Sequence, residues 1–310
     1  MPDGLDLTVD LGRGLHLRSP LLVASGTFGY GFNAPQLDRS VLAAIVTKGT
    51  TRQAREGNVP ARIAETPSGM LNAIGLQNPG VDVVLREYAP VWASWDMPVI
   101  VNVAGESVDD YAIVARRLDG VPGIAGLELN ISCPNVANGL QFGTDPELAA
   151  QVTAAVRKAT RLPLIVKLTP NVTDLVAIGR AVETAGADAV SAVNTYVGMA
   201  IDVQHRRPRL SRGSGGLSGP AIKPLALQAV WQLAAELAIP VIGVGGITTA
   251  TDALEFLLAG ARAVQLGTVN YVQPSAAREI HDGIIEYMRS NGYRDLGGLP
   301  LRHARIAANA

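Results

Sequence analysis

Eight short runs of β-branched and aliphatic residues recur along this chain of 310 residues. Each run leads into Gly, Asn, Thr or Lys, and segments with a helical period separate most of them. The runs cover residues 21–26, 43–49, 98–105, 126–132, 163–170, 188–195, 240–246 and 262–268. Eight strand–helix units in a chain of this length favour an α/β fold of the (β/α)₈ TIM-barrel type over a doubly wound sheet. We therefore predict that residues 1–310 form a single barrel domain.

The segments between the runs carry helix boundary signals. Segment 145–160 begins with Asp145, a typical N-cap residue, and Pro146 follows at the first helical position. Similar patterns predict helices over 174–186, 223–237 and 249–261. Near the N-terminus, the alternating stretches "LDLTVDL" and "GLHLRSP" predict a small β-hairpin that closes the bottom of the barrel.

Composition narrows the class of protein. Hydrophobic residues make up 48% of the chain and aromatic residues only 5%, which fits parallel strands buried on both faces. The net charge of -1, with no basic run that alternates with aromatic residues, argues against a nucleic-acid partner. A single cysteine excludes an internal disulfide and a cysteine-ligated zinc or iron–sulfur site within this chain. The N-terminus lacks a signal-peptide pattern, and no apolar run approaches the ~20 residues of a membrane span. We expect a soluble, cytoplasmic protein.

Polar residues follow the predicted strands, at the end of a barrel where chemistry takes place. They include two lysines and no carboxylate, which predicts an anionic or electron-rich ligand. Each lysine either stabilises negative charge or forms a Schiff base, as in aldolase barrels, and the sequence leaves both open. The polar and glycine positions at the strand ends are Ser25, Lys48, Asn102, Asn130, Cys133, Lys167, Asn194, Gly245, Gly246, Gly267 and Thr268.

Cys133 is the only thiol of the chain, and it lies just past a strand end and before a proline. A free cysteine is often a small buried hydrophobic residue. Its position at the start of a polar loop, 134–145, instead makes it a candidate general base or nucleophile, with the loop as a candidate lid. The four histidines share no spacing and end no strand, so we interpret them as structural or exposed.

Glycines and asparagines supply the remaining candidates. Gly-Gly and Gly-Thr pairs follow the seventh and eighth strands, where phosphate-binding barrels hold a phosphate, although simple turns explain them equally. Gly219 lies in a third glycine-rich stretch, "GGLSGPA". Asparagine amides donate hydrogen bonds without adding charge, which suits a flat polar ring such as a pyrimidine, whereas a turn role is the alternative. The candidates are Asn72, Asn130, Asn135 and Asn194.

The chain resembles class 1 dihydroorotate dehydrogenases over nearly its whole length. The resemblance rests on nine stretches: "ASGTFGYG", "TKGTT", "PSGMLNAIGLQNPG", "NISCPN", "KLTPN", "NTYVGMAID", "GGLSGPAIKP", "GVGGI" and "QLGT". It implies a (β/α)₈ barrel that binds one FMN and oxidises dihydroorotate to orotate in pyrimidine synthesis. It also implies that Cys133 is the base that removes the C5 proton, while a hydride leaves C6 for the flavin.

The resemblance assigns the other residues as well. Lys48 is expected to act in catalysis and to contact both flavin and substrate, and Lys167 to lie near N1 and O2 of the flavin. The implied substrate contacts are Lys48, Asn72, Asn130, Asn135, Asn194, Thr195 and the main chain at Met70 and Leu71. The implied flavin contacts are Ser25, Gly26, Lys48, Asn102, Asn130, Lys167 and Gly219, with the phosphate at Gly245, Gly246, Gly267 and Thr268.

Two stretches, "ASGTFGYG" and "NTYVGMAID", are most similar to the NAD-linked class 1B. That likeness implies a partner subunit with FAD and a [2Fe–2S] cluster, in a heterotetramer of two catalytic and two electron-transfer subunits around a homodimer core. The alternatives are the fumarate-dependent class 1A, a dihydropyrimidine dehydrogenase-like reductase, and a barrel that only binds flavin. Asn135 stands where the reductases usually have His, which favours an orotate-type substrate.

One segment departs from the family pattern. Loop 204–216 is unusually rich in arginine, and we interpret it as a solvated basic loop or, alternatively, a lid or partner-facing segment. Membrane-bound class 2 enzymes use serine as the base and carry an N-terminal helical extension. The sequence shows neither feature, so we do not expect a class 2 enzyme.

Overall fold

The protein folds as the predicted (β/α)₈ barrel, seen in a computed structural model that describes residues 4–32, 38–132 and 142–299. Eight parallel strands close in the order in which they follow one another along the chain. They are β3 (Leu21–Val23), β4 (Ala44–Val46), β7 (Val99–Val103), β8 (Gly126–Asn130), β9 (Leu164–Lys167), β10 (Ala189–Ala192), β15 (Val241–Val244) and β16 (Ala263–Leu266). All eight predicted strands are confirmed, and each is shorter than the apolar run that predicted it.

The strands form because their aliphatic side chains are buried on both faces of the sheet. Every residue of β3, β4, β7 and β9 is buried, and in β8 only Asn130, its last residue, is partly accessible. Full burial of one Val, Ile or Leu side chain contributes about 1.5–3 kcal/mol to stability. The polar residue that ends each run therefore lies at the rim, where the apolar environment stops.

Helices pack around the barrel, and four of them lie where the sequence predicted helices, over 145–160, 174–186, 223–237 and 249–261. Asp145 accepts a hydrogen bond from the Leu148 main chain at 2.9 Å, which caps the helix that Pro146 begins. The helices are α1 (Val81–Val83), α2 (Ala89–Trp92), α3 (Val108–Leu118), α4 (Pro146–Ala159), α5 (Leu175–Thr184), α6 (Lys223–Glu236), α7 (Ala250–Leu258), α8 (Val269–Val272) and α9 (Ala276–Ser290). A π-helical turn over Val84–Tyr88 joins α1 to α2, and short 3₁₀ turns lie at Phe142–Thr144, Pro220–Ile222 and Leu296–Gly298.

The N-terminal hairpin is confirmed, and it packs on the bottom of the barrel. Its strands, β1 (Val9–Asp10) and β2 (His16–Leu17), pair antiparallel. Leu11 and Leu17, almost fully buried, join the apolar cluster that contains interior barrel residues such as Ile165. An ion pair of 3.0 Å between Arg13 and Asp188 ties the hairpin turn to the barrel.

A second sheet, which the sequence did not predict, lies at the opposite end of the barrel. Four antiparallel strands adjoin in the order β11 (Tyr196–Met199), β14 (Ser214–Ser218), β6 (Gly69–Asn72) and β5 (Ile63–Thr66). This sheet brings Asn72 opposite Gly216, which is 144 residues away in sequence. The segment interpreted as a basic loop, 204–216, contains β13 (Arg207–Pro208), which pairs with β12 (Ile201–Asp202) just before the segment, and the start of β14.

Among the helices of the described ranges, none combines the length and the apolar character needed to cross a membrane.

Candidate active site

A cavity of about 1050 Å³ opens at the carboxyl ends of the barrel strands, beneath the second sheet. Its volume matches the upper end of the range typical of ligand sites. The predicted residues that line it are Ser25, Gly26, Lys48, Met70, Asn72, Asn102, Asn130, Lys167, Asn194, Thr195, Gly219, Gly245, Gly246, Gly267 and Thr268. Positions spread over nearly the whole chain therefore meet at one place, as the barrel topology requires.

Three predicted residues stand apart from this set. Leu71 does not line the cavity, and its side chain is 1% exposed and packs against Ala64 and Leu210. The side chain therefore has a structural role, and a substrate contact at this position falls to its main chain. Cys133 and Asn135 lie outside the described residues, so their proposed roles stay predictions.

Lys48 gives the cavity wall a cationic group. It follows β4 after Thr47, and its main-chain N–H donates to the Gly29 carbonyl at 2.8 Å. Burial, and secondarily the positive charge of Arg62, lower the pKa of the Lys48 ammonium. Burial of a charged amine is unfavourable unless a partner compensates it. An anionic ligand at this wall would supply that compensation.

Lys167, the last residue of β9, is the second cation of the cavity. It is 4% exposed, and its Nζ donates to Ser25 Oγ at 3.2 Å. The same Nζ lies 3.9 Å from Oε1 of Glu128, a residue of β8 with 0% exposure. The Lys167 ammonium thus faces the cavity while a buried carboxylate lies directly beneath it.

Glu128 is the centre of a polar layer inside the barrel. Its Oε1 accepts from Asn102 Nδ2 at 2.8 Å. Its Oε2 accepts from Ser191 Oγ at 2.9 Å and from Gln265 Nε2 at 2.8 Å. Because an ionised carboxylate only accepts hydrogen bonds, it holds the amino groups of both amides toward itself.

This arrangement leaves two amide oxygens unsatisfied. Asn102 Oδ1 and Gln265 Oε1 are buried and accept no hydrogen bond from any described residue. Buried polar atoms are nearly always paired, so these two indicate a missing donor. Both side chains line the cavity, and the amide-type N–H of a heterocyclic ring is a donor of the required kind.

The asparagines form a connected group on one side of the cavity. Asn194 Nδ2 donates to Ser132 Oγ at 3.0 Å and to Asn130 Oδ1 at 3.3 Å. The Thr195 main chain donates to Asn194 Oδ1 at 2.9 Å. Across the cavity, Asn72 Nδ2 donates to the Gly216 carbonyl at 3.2 Å. These bonds hold the amides in place, which favours binding of a planar polar ligand without reorganisation.

Glycines shape the opposite side. Gly245 and Gly246 have φ values of 129° and 74°, which residues with a side chain rarely adopt. A Cβ on Gly246 would lie 2.7 Å from Lys223 Cβ, so only glycine fits between the loop and α6. Thr268 Oγ1 donates to Ser218 Oγ at 2.8 Å and links the loop after β16 to β14. The glycine loops after β15 and β16 thus flank one corner of the cavity, as in phosphate-binding barrels.

Sequence reasoning missed several residues that belong to the site. Asn171 lies within the quoted stretch "KLTPN", and its Nδ2 donates to the Thr195 carbonyl at 3.0 Å. Glu128 precedes Asn130 by two positions, and the period of a strand places both on one face, so this signal was present. Ser132, Arg212 and Tyr271 also line the cavity. Ser132 lies within the quoted stretch "NISCPN" and Arg212 within the arginine-rich segment, whereas no sequence signal marked Tyr271. Arg212 shows that the arginine-rich segment reaches the cavity.

Fold and site together define the class: a (β/α)₈ barrel whose polar mouth is lined by two lysines, a set of fixed amides and the glycine loops after its last two strands. The family model "Dihydroorotate dehydrogenase" matches residues 7–288. The chain is 54% identical over 293 residues to a protein of Geotalea daltonii, and the aligned region covers 94% of this chain and 96% of that protein. It is 55% identical over 288 residues to one of Desulforudis audaxviator, with 92% and 94% covered.

A third relative, from Porphyromonas gingivalis, is 53% identical over 301 residues, with 95% of this chain and 98% of that protein covered. Each of the three carries the name dihydroorotate dehydrogenase B (NAD(+)), catalytic subunit. This chain belongs to the dihydroorotate dehydrogenase family. Membership confirms the predicted resemblance and implies a flavin cofactor, for which the cavity offers two lysines, two unsatisfied acceptors and a glycine-lined corner.

Proposed function

We propose that this chain is the catalytic subunit of a class 1B dihydroorotate dehydrogenase, which oxidises (S)-dihydroorotate to orotate in pyrimidine synthesis. The observation that carries the proposal is the convergence of Lys48, Lys167 and the amides on one cavity large enough for a flavin and a pyrimidine. The names of the relatives, at 53% to 55% identity over nearly the whole chain, support the NAD-linked class.

The residues divide the work between two ligands. The glycine loops at Gly245–Gly246 and Gly267–Thr268 hold the FMN phosphate, and Lys167 and Asn102 lie against the flavin ring. When bound there, FMN supplies a two-electron acceptor for a hydride. The flavin side of the cavity is thus assigned to residues at the ends of the barrel strands and in the loops that follow them.

The substrate side is assigned to the group of amides. Asn72, Asn130 and Asn194 contact the pyrimidine ring, Asn72 and Asn130 as donors to its oxygens, and Lys48 balances the charge of the carboxylate. Asn135 completes this set, and Cys133 takes the C5 proton as general base; both lie outside the described residues. A base that is placed accurately and has a pKa near the working pH suits this proton transfer.

Electrons leave through a second subunit in this proposal. The chain has one cysteine and cannot ligate an iron–sulfur cluster with thiolates alone. We assign FAD and a [2Fe–2S] cluster to an electron-transfer subunit, in a heterotetramer of two catalytic and two electron-transfer subunits around a homodimer core. The compartment assigned is the cytoplasm.

Steady-state turnover with different electron acceptors tests the assignment. The purified chain is supplied with dihydroorotate and with fumarate, with NAD alone, or with NAD and the iron–sulfur flavoprotein of the same cell. We expect turnover with NAD only when that flavoprotein is present. Efficient use of fumarate by the chain alone would place it in class 1A. Reduction of uracil or thymine, with dihydroorotate left unoxidised, would identify a dihydropyrimidine dehydrogenase-like reductase.

Substrate affinity is expected to fall at alkaline pH because of Lys48. Its pKa is lower than the ordinary value of 10.5, and only the ammonium form, present below that pKa, attracts the carboxylate. The KM for dihydroorotate should therefore rise as the pH passes the lowered pKa. The measurement is KM from about pH 7 to about pH 11, compared with Lys48→Arg, whose guanidinium stays charged throughout. An equal rise of KM in both proteins would contradict the assignment.

A further inference from the structure

The polar layer beneath the cavity contains a buried charge that the proposed function does not yet use. Glu128 has 0% exposure and lies below the cavity rather than in its wall. Removal of a carboxylate from water costs several kcal/mol. Apolar residues of similar volume in place of a buried ion pair are often neutral or stabilising, so structural support alone is a weak reason for such a residue.

Three neutral donors satisfy the carboxylate, and one cation balances its charge. The donors come from β7, β10 and β16, and the cation is Lys167 on β9. The distance of 3.9 Å between Lys167 Nζ and Glu128 Oε1 places the two charges close enough to cancel most of each other's field at longer range. Lys167 has no other carboxylate within 4.0 Å among the described residues.

We propose that Glu128 is a positioning residue that neutralises and anchors Lys167, so that a charge-neutral pair rather than a lone ammonium lies under the flavin. The proposal rests on the proposed function, since it concerns the flavin that the cavity binds. Reduction gives a flavin more negative charge. A lone ammonium beneath the ring would favour the reduced form, and Glu128 limits this effect.

The pair model predicts opposite effects for its two members. In Glu128→Gln the ammonium is uncompensated, the reduced flavin binds more tightly relative to the oxidised form, and the midpoint potential rises. In Lys167→Met the carboxylate is uncompensated and the potential falls. We expect a change of about tenfold in the ratio of the two dissociation constants for each variant, which is about 30 mV for a two-electron couple.

Glutamine can replace Glu128 without a steric or hydrogen-bonding conflict. The unsatisfied oxygens of Asn102 and Gln265 become available to accept from the new amide when either side chain rotates. The double variant, Glu128→Gln with Lys167→Met, carries neither charge, and we expect its potential to return to within about 10 mV of the parent. Ser191→Ala removes one neutral hydrogen bond to Glu128 and serves as the matched control, with an unchanged potential.

The experiment is a redox titration of bound FMN in the four variants and the parent, with the FMN dissociation constant of each chain as an independent reading. Shifts of opposite sign that cancel in the double variant support the pair. Shifts of the same sign, no shift in Glu128→Gln, or an equal shift in Ser191→Ala would overturn it. A parent chain that binds no FMN would instead refute the proposed function, so the two failures are distinct.

Discussion

Replacement of Cys133 by serine is expected to slow reduction of the bound flavin by dihydroorotate by a factor of about 10²–10⁴, the usual contribution of a general base. A thiol has a reference pKa of about 8.5 and accepts a proton near neutral pH when its neighbours assist. A serine hydroxyl is a far weaker base. The measurement is the rate of flavin bleaching after anaerobic mixing with dihydroorotate, at equal FMN content.

The neighbouring Ser132 provides the matched control for this experiment. It lies at the cavity, and its Oγ accepts a hydrogen bond from Asn194 at 3.0 Å. Loss of one neutral hydrogen bond costs about 0.5–1.5 kcal/mol, so Ser132→Ala should slow the reaction by no more than about tenfold. Equal bleaching rates in Cys133→Ser and the parent would show that the thiol is not the base.

Replacement of Lys167 by methionine is expected to lower the stability of the FMN-free chain by about 3–5 kcal/mol, the usual cost of removing one partner of a buried ion pair. Methionine fills nearly the volume of the lysine stem, so the cavity term is small. The loss arises because the buried Glu128 carboxyl group, with 0% exposure, is left without a cation to balance it. The measurement is the urea midpoint of unfolding, compared with the parent at the same pH.

The double variant separates charge from packing in this experiment. Addition of Glu128→Gln to Lys167→Met removes the uncompensated carboxylate, and we expect it to restore most of the lost stability. Exposed ion pairs provide the contrast: Arg86→Met, which breaks a surface pair with Glu87, should change stability by no more than about 1 kcal/mol. A Lys167→Met chain as stable as the parent would contradict the assignment of Lys167 as the cation that balances Glu128.

The barrel was predictable because its signals are local. An apolar run of four to eight residues followed by a polar residue marks a buried strand and its rim position at once. Asp145 and Pro146 marked the start of α4 in the same way. Barrel chemistry lies at the carboxyl ends of the strands, so the sequence alone predicted that Lys48, Lys167 and Asn102 lie at one site.

The remainder of the site depends on contacts between distant segments. The sheet over the cavity pairs β6 with β14, and no local pattern in the glycine-rich stretch 214–218 predicts that partner. Arg212 reaches the cavity because β14 turns back over it, although its own sequence context indicates a solvated loop. The side chain of Leu71 packs into the second sheet, which leaves only its main chain for the substrate contact that the resemblance implies.

Glu128 was missed for a different reason. Barrel chemistry is expected at strand ends, and this carboxylate lies two positions earlier, where burial of an unpaired charge is strongly unfavourable. Only the positions of Lys167, Asn102, Ser191 and Gln265 explain how it is satisfied. Side chains alternate between the two faces of β8, so Glu128 lies on the same face as Asn130, which pairs with Lys167 at the end of β9. These positions on adjacent strands are a sequence signal for the ion pair.

Anaerobic mixing of the purified, FMN-loaded chain with (S)-dihydroorotate, in the absence of any partner subunit, tests the proposed chemistry most directly. Flavin absorbance and orotate formation are recorded in the same sample. We predict that the flavin bleaches fully and that one orotate forms for each FMN, because the proposed function assigns both binding sites and the base to this chain alone. A chain that binds FMN tightly but neither bleaches nor forms orotate would contradict the assignment of this cavity as the site of dihydroorotate oxidation.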